Sequence, residues 1–412
     1  MKAVSLDSHR HLAGTPKPRT LDRMAEKGVR KQLAAITDGQ LTVIDGDRQD
    51  DFGQGGRFSA TITVREPAFW SDVAFGGAIG AAEAYMAGAW DCDDLVSLVR
   101  LLLRNRSVLE GMEGGAARLT KPLQKAFHWV NRNTRDGARR NISAHYDLGN
   151  DFFGLWLDET MMYSSAIFET PEVPLYDAQI HRLDMICQRL NLRPDDHLVE
   201  IGTGWGGLAI HAAQHYGCRV TTTTISKEQH RLAAERIAAA GLEDRIELLL
   251  EDYRDLEGQY DKLVSIEMIE AIGWRQYDTY FKKCGELLKP GGTLLIQAIT
   301  IAETRYEEAK RSVDFIQRYI FPGSNLPSVK AMVNAVAANS DMMVSGLHDI
   351  GLDYALTLNH WRQRFFERIE EVRELGYSET FIRMWEYYLC YCEGGFEERA
   401  ISDVHLLAER PA

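Results

Sequence analysis

Between residues 197 and 213 the chain reads HLVEIGTGWGGLAIHAA. Apolar and β-branched residues lead to Glu200, after which Gly202, Gly204, Gly206 and Gly207 crowd a turn around Trp205 before a helical pattern begins. Glycine has no Cβ and tolerates positive φ. A strand that ends in glycines and opens a helix therefore lets the backbone come close to a ligand. No Gly-Lys-Ser/Thr follows, which argues against a phosphate loop, and the spacing departs from a dinucleotide-binding G-x-G-x-x-G. The motif alone leaves a purely structural turn open. A second concentration of reactive and aromatic residues lies upstream, where 141–168 holds His145, Tyr146, Asp147, Phe152, Phe153, Trp156, Tyr163 and Phe168. His211 and His215 stand four apart on the helix after the turn, a zinc-compatible spacing. No Glu or third ligand accompanies them, so a solvated helix face is the better reading.

The elements that must position these residues alternate from residue 141 onward. Strands are expected at 197–202, 219–225, 246–251, 261–267 and 292–299, with helices at 207–216, 227–240 and 277–288. Such alternation predicts a parallel sheet with helices on both faces and a ligand at the carboxyl ends of its strands, where the glycine turn falls. Beyond 300 the pattern predicts a strand near 343–349, helices at 357–374 and 379–394, and a strand at 401–407 that could return as an antiparallel edge. Upstream, residues 21–115 read as a smaller α+β domain with strands at 41–47 and 57–65. Asp45-Gly46 and Gly53 through Gly56 supply its turns.

A length of 412 residues accommodates two domains with substantial cores. With 45% hydrophobic and 26% charged residues the chain reads as an ordinary soluble globular protein. The net charge of −13 disfavours nucleic acid as a partner. The six cysteines include no C-x-x-C and read as reduced thiols of a cytoplasmic protein. Residues 1–20 form a polar, basic tail without the apolar stretch of a signal peptide. The most apolar run, 73–90, carries Glu83 and is rich in Gly and Ala, which fits a packed helix better than a membrane span. Between 116 and 140 the balance reverses. Arg118, Lys121, Lys125, Arg132, Arg135, Arg139 and Arg140 face only Asp136, and Leu119, Leu123, Phe127 and Val130 fall at helical spacing. A basic amphipathic segment of this kind is drawn to an anionic lipid surface; a solvated interdomain helix is the equal alternative.

The spacing E-x-G-x-G-x-G-G resembles the first motif of S-adenosylmethionine-dependent methyltransferases. Together with 141–168, TISKEQ at 224–229, EDYRDLEGQYDKLVSIEMIE at 251–270, RYIFPGSNLPSV at 318–329 and YYLCYCEGGF at 387–396, it resembles the cyclopropane-fatty-acyl-phospholipid synthase family. That family is itself similar to the mycolic-acid methyltransferases. The resemblance runs over about residues 25–410, including WSDVAFGGAIGAAEAYMAGAWDCDDL at 70–95. It implies a class I methyltransferase fold, Rossmann-like with a mostly parallel seven-stranded sheet, at 141–412. It also implies a peripheral enzyme at the inner membrane, a homodimer, that adds a carbon from S-adenosylmethionine to double bonds of phospholipid acyl chains. An isolated alkene is a poor nucleophile. The site must therefore align the reactants, exclude water and tolerate a carbocation, which aromatic faces stabilise without capturing it. The aromatic density at 146–168 and 381–396 suits that need, although core packing is the commoner use of such rings.

Residue by residue, the resemblance gives the amino-acid part of the cofactor to Glu200 and the backbone of Gly202–Gly207. It gives the ribose to Thr224, Ile225, Ser226 and Gln229, the adenine edge to Asp252 and Tyr253, and the cover to Tyr163 and Ser164. A bound bicarbonate serves as the base in the family. Its expected partners here are Glu270, Ile299 and Tyr354, with Ser165 where the family has Cys and Gln297 where it has His. Gln297 donates a hydrogen bond but cannot relay a proton, which places the weak point of the mechanism at proton removal. Slow removal would lead to a methylene- or methyl-branched chain instead of a ring. Cys392 matches a cysteine often counted as catalytic; a thiolate has no evident duty in alkene methylation, which favours packing. A non-catalytic lipid-binding protein of the same fold is the remaining alternative, and the intact Glu200/Gly202/Gly204 motif and Glu270 argue against it.

Overall fold

The computed structural model describes residues 19–114 and 148–412, so the basic segment 116–140 and His145, Tyr146 and Asp147 lie outside the described residues. The described chain divides into two units. The first takes the residues up to 114 with Val313–Arg318 and Gly376–Glu398; the second takes the remainder.

The first unit is built from α1 (Thr20–Leu33), β1 (Gly39–Asp45), β2 (Arg48–Gly55), β3 (Ser59–Val64), α2 (Ala68–Met86), β4 (Trp90–Cys92), α3 (Leu95–Arg104) and α4 (Arg106–Gly114). Its sheet has the order β2-β1-β3-β4. Leu41 and Val43 of β1 and Ala60, Ile62 and Val64 of β3 alternate into the core beneath Trp70 and Trp90. Strand β2 is a correction to the sequence pattern, which placed turns there. RQDDFGQG pairs antiparallel with β1 as a sheet edge, where polar side chains meet water and need no apolar period.

The second unit contains α5 (Asn150–Trp156), α6 (Leu175–Arg189), β5 (His197–Ile201), α7 (Gly207–His211), β6 (Arg219–Thr223), α8 (Lys227–Ala239), β7 (Ile246–Leu249), β8 (Tyr260–Ile266), α9 (Ile269–Ile272), α10 (Tyr277–Leu287), β9 (Leu288–Ile301), α11 (Glu303–Ala309), α12 (Val329–Asn339), β10 (Met343–Asp349), α13 (Gly351–Glu367) and α14 (Ile369–Glu374), and closes with β11 (Ile401–Glu409). The order is β7-β6-β5-β8-β9-β11-β10, with β5 to β9 parallel and β11 antiparallel to both its neighbours. Successive strand residues enter opposite faces. Val199, Leu263 and Ile296 pack against Phe281 and Met332 of α10 and α12. Leu198, Val264 and Leu295 pack against Ile186, Leu208 and Ile237 of α6, α7 and α8. From β5 the chain winds first to β6 and β7, then returns to β8 and β9 on the other side. The crevice at this reversal is where doubly wound sheets bind ligands. Strand β11 is antiparallel as expected but not at the edge. Val404 through Ala408 are buried between β9 and β10, and β10, largely exposed, is the edge strand.

One helix expected within the second domain groups with the first unit. In α15 (Glu379–Glu397), Cys390 enters the first unit's core, and Arg383 donates to the carbonyls of Tyr85 and Trp90 at 2.6 and 2.7 Å. Gly394 permits the approach of α3: a Cβ there would lie 2.8 Å from Val99 Cγ1. The small residues of CEGGF thus serve close helix packing.

Candidate active site

At the end of β5 the N–H groups of Gly202 and Thr203 both donate to the Thr223 carbonyl at 3.0 Å, which ties the turn to β6. Gly202, Gly204 and Gly206 have φ of +102°, +53° and +85°, a region that disfavours residues with a Cβ. Their surroundings differ. A Cβ on Gly204 would meet nothing within 4 Å, whereas one on Gly207 would lie 2.5 Å from Met162 Sδ. Gly204 therefore opens onto space and Gly207 serves packing. Below the turn, Glu200 is buried and accepts the Thr222 hydroxyl at 2.6 Å; burial pushes its carboxyl up to about 8. Trp205 is buried, donates its indole N–H to Asn150 Oδ1 at 2.7 Å and packs 5.1 Å from the Phe153 ring.

On the next strand, T-x-S-x-x-Q has a local structural use. The Ser226 hydroxyl caps α8 by accepting the Gln229 N–H at 3.3 Å. The Thr224 hydroxyl donates to Gln229 Oε1 at 2.9 Å and accepts the Ser226 N–H, while Ile225 is half-buried. After β7, Asp252 accepts from Arg254 Nε at 2.7 Å. The Tyr253 ring packs edge-on to Tyr280, and its buried hydroxyl has no partner among the described residues.

Three of the predicted catalytic residues of the second unit, Ser165, Gln297 and Tyr354, converge on a group that sequence reasoning missed, Glu267, directly after β8. Its Oε1 accepts the Ser164 hydroxyl at 2.8 Å, the Ser165 N–H at 3.0 Å and the Gln297 amide at 2.9 Å; its Oε2 accepts the Tyr354 hydroxyl at 2.7 Å. Ser165 contributes its backbone only, since its hydroxyl donates to the Ala166 carbonyl. Glu270 stands beside this cluster. Its Oε1 accepts the Ile299 N–H at 2.5 Å, and its Oε2 is buried with no partner among the described residues. Burial and the neighbouring Glu267 carboxylate push Glu270 up to about 8. Arg182, wholly buried on α6, donates to Gln179 Oε1 at 2.8 Å and to Gln297 Oε1 at 3.4 Å. Asp403 of β11 accepts the Gln297 amide at 2.7 Å, and burial together with Glu267 drives its carboxyl far up. Neither Arg182 nor Asp403 belongs to a motif by which the sequence could have announced it, and Glu267, though inside the 251–270 run, was not singled out there.

Alongside lies a cluster of rings. Tyr163 packs 5.4 Å from Phe153 and from Trp156 and 5.3 Å from Trp361, which in turn meets Tyr354 at 5.9 Å. The aromatics of 381–396 belong to the first unit instead, as does Cys392, a half-buried thiol whose pKa burial raises. The expected solvated face at His211 and His215 is half right. His215 is exposed, but His211 is buried and bonds Asp184 at 2.9 Å, because α7 packs this side against α6. No group of residues suited to a metal ion occurs among the described residues.

Comparison with known proteins gives the family and the fold. Residues 133–406 match the family described as mycolic acid cyclopropane synthetase. The tuberculostearic acid methyltransferase UfaA1 of Mycobacterium tuberculosis is 41% identical, over 78% of this chain and 76% of that protein. The cyclopropane-fatty-acyl-phospholipid synthase of Escherichia coli K12 is 38% identical, over 84% and 87%. The solved structure of mycolic acid cyclopropane synthase CmaA1 complexed with SAH and CTAB is similar at a TM-score of 0.61 and 28% identity, covering 66% of this chain and 98% of that one.

Proposed function

Because the chain belongs to the mycolic acid cyclopropane synthetase family and is an S-adenosylmethionine-dependent methyltransferase, we propose that it methylates the double bond of unsaturated acyl chains in membrane phospholipids and closes a cyclopropane ring. The observation that carries this reading is the adjacency of an open glycine turn to a buried acid cluster. Strands β5 and β8 are parallel neighbours, so the turn after β5 and Glu267 directly after β8 leave the sheet side by side, and a Cβ on Gly202 would lie 3.3 Å from the Met268 side chain.

The residues present fit the cofactor. Gly204 leaves room where a side chain would intrude, and α7 begins at the turn. In this reading Glu200 and Gly202–Gly206 hold the amino-acid part, Thr224, Ile225, Ser226 and Gln229 the ribose, and Asp252 and Tyr253 the adenine edge. Tyr163, Ser164 and Trp205 close over it. When bound, S-adenosylmethionine supplies an electrophilic methyl to the alkene π pair, leaving a cation on the acyl chain. Half-buried Tyr163 presents its ring to that cation, backed by the wholly buried Trp156 and Trp361, and the ring cluster excludes water. Glu270, fixed by the Ile299 N–H, helps orient the group that takes the final proton. The bicarbonate that the resemblance implies does not fit. The Ser165 N–H, the Gln297 amide and the Tyr354 hydroxyl already converge on Glu267, so no step is assigned to bicarbonate.

A branched product is the second reading. It is favoured by Gln297, an uncharged donor that cannot relay a proton, and by the similarity to a tuberculostearic acid methyltransferase. Mass spectrometry of lipids from cells expressing the protein decides between them. A gain of one CH2 on unsaturated chains is expected, with fragmentation distinguishing ring from branch. Glu270→Ala should nearly abolish the gain while leaving cofactor affinity within a few fold. No gain from the parent protein would leave the non-catalytic lipid-binding reading. We further propose a homodimer that docks peripherally on an anionic membrane through 116–140; light scattering tests the first part.

A further inference from the structure

We infer that Glu267 is itself the base of this enzyme, its carboxylate standing where a dissociable anion would otherwise be held. The inference rests on the reaction proposed above. Glu267 has φ +46°, one of four residues other than glycine among those described with positive φ, so the surrounding contacts hold its backbone in a disfavoured region. Those contacts are the anion-binding groups themselves: the Ser165 N–H, the Gln297 amide and the Tyr354 hydroxyl, joined by the Ser164 hydroxyl. A carboxylate and a bicarbonate offer the same planar pair of oxygens, and one set of donors cannot serve both.

The charges nearby are consistent with this assignment. Three carboxyls share the pocket, and burial raises all of them. Only Glu267 has four donors and is also favoured as an anion by the buried Arg182 guanidinium. Glu270 and Asp403, each opposed by its charge, are held neutral, and the His405 ring beyond Gln297 is kept uncharged by burial and by Arg189 and Arg182. Gln297 then needs no charge: its amide donates to Glu267 and Asp403 while its carbonyl accepts from His405 at 3.1 Å. The step is balanced. The alkene pair forms the C–C bond to the methyl as the S–CH3 bond breaks to neutral thioether. A C–H bond of that methyl then breaks, its pair closing the ring, and the proton goes to a Glu267 oxygen. The four donors also draw density from the carboxylate, which disfavours capture of the cation as an ester.

The full-length enzyme is assayed with S-adenosylmethionine and unsaturated phospholipid vesicles in buffer stripped of carbon dioxide, with and without added bicarbonate. Turnover of the parent should be the same in both. Glu267→Gln, isosteric but unable to take a proton, should lose about 100-fold or more. Glu267→Gly relieves the backbone at φ +46° but leaves four donors and the buried Arg182 without the carboxylate, so it should melt lower than the parent while folding, which circular dichroism checks before assay. It should lose activity in stripped buffer and recover part of it with bicarbonate. Calorimetry with bicarbonate alone reads the site apart from turnover: Glu267→Gly should bind it and the parent should not. A parent that needs or binds bicarbonate, or a Glu267→Gln enzyme with parental turnover, overturns the proposal. If the parent gives no methylated lipid, the reaction reading fails. The binding contrast then still decides Glu267, its presence supporting the built-in anion and its absence removing it.

Discussion

Two carboxyls, Glu200 and Glu270, are buried and pushed up to about 8 from an ordinary 4.5. The folded protein therefore binds protons that the unfolded chain has already released at neutral pH. The stability linked to these groups is complete below the unfolded value and is lost as pH rises through about 8. The melting temperature of the cofactor-free protein should fall between about pH 5 and about pH 9. Glu200→Gln, which keeps an oxygen for the Thr222 hydroxyl, should flatten that fall by a few degrees. Equal slopes in parent and variant would mean that Glu200 is ionised in the fold. At this scale Glu270, Gln297, Ile299 and Tyr354 were legible because each sits in a recognisable run. Glu267 was not. Nothing in SIEMIE says which carboxylate the donors will meet, and its partners arrive from positions such as Ser165, 102 residues away.

Elements are read through local period and turn chemistry, and here the strand–turn–helix at 197–211 followed them closely. A prediction belongs to that turn. Gly204→Val forces a β-branched residue into φ +53°, at a cost of about 1–2 kcal/mol, and projects its side chain into the open space beside the turn. The variant should fold with a lowered melting temperature and show no S-adenosylmethionine binding by calorimetry. Binding at parental strength would mean that the cofactor lies elsewhere. Where element reading failed, the local pattern did not report the strand's place in the sheet. Strand β2 is polar because it is an edge, and β11, for which an edge position was one option, is covered on both sides from Val404 to Ala408. The T-x-S-x-x-Q run has one use with bonds to show for it, a helix cap, beside the ribose contact proposed for it.

For the molecule as a whole, the charge runs against its proposed place of work. A protein of net charge −13 is repelled by an anionic bilayer unless a local patch reverses the sign. The segment 116–140, with seven basic residues against one acidic, is the candidate patch. Reversing Lys121, Lys125 and Arg132 to Glu should reduce sedimentation with anionic vesicles at low salt, and raised salt should weaken the parent in the same way. Unchanged binding by the reversed variant would leave the interdomain-helix reading. Among the described residues no helix is long and apolar enough to cross a membrane, and α2, the most suspect by composition, breaks at Gly77 with φ +58°.

By itself the sequence determined the doubly wound sheet, the glycine turn and most of the residues about it, because apolar period, glycine placement and helix caps act over a few neighbouring positions. Only the tertiary structure decided that α15, with Cys392, packs into the first unit through Gly394. It also decided that Arg182, Glu267, Gln297 and Asp403 form one buried charge network drawn from α6, the end of β8, β9 and β11. Those choices depend on which buried polar groups can satisfy one another across the sheet, and no local pattern in the chain encodes that balance.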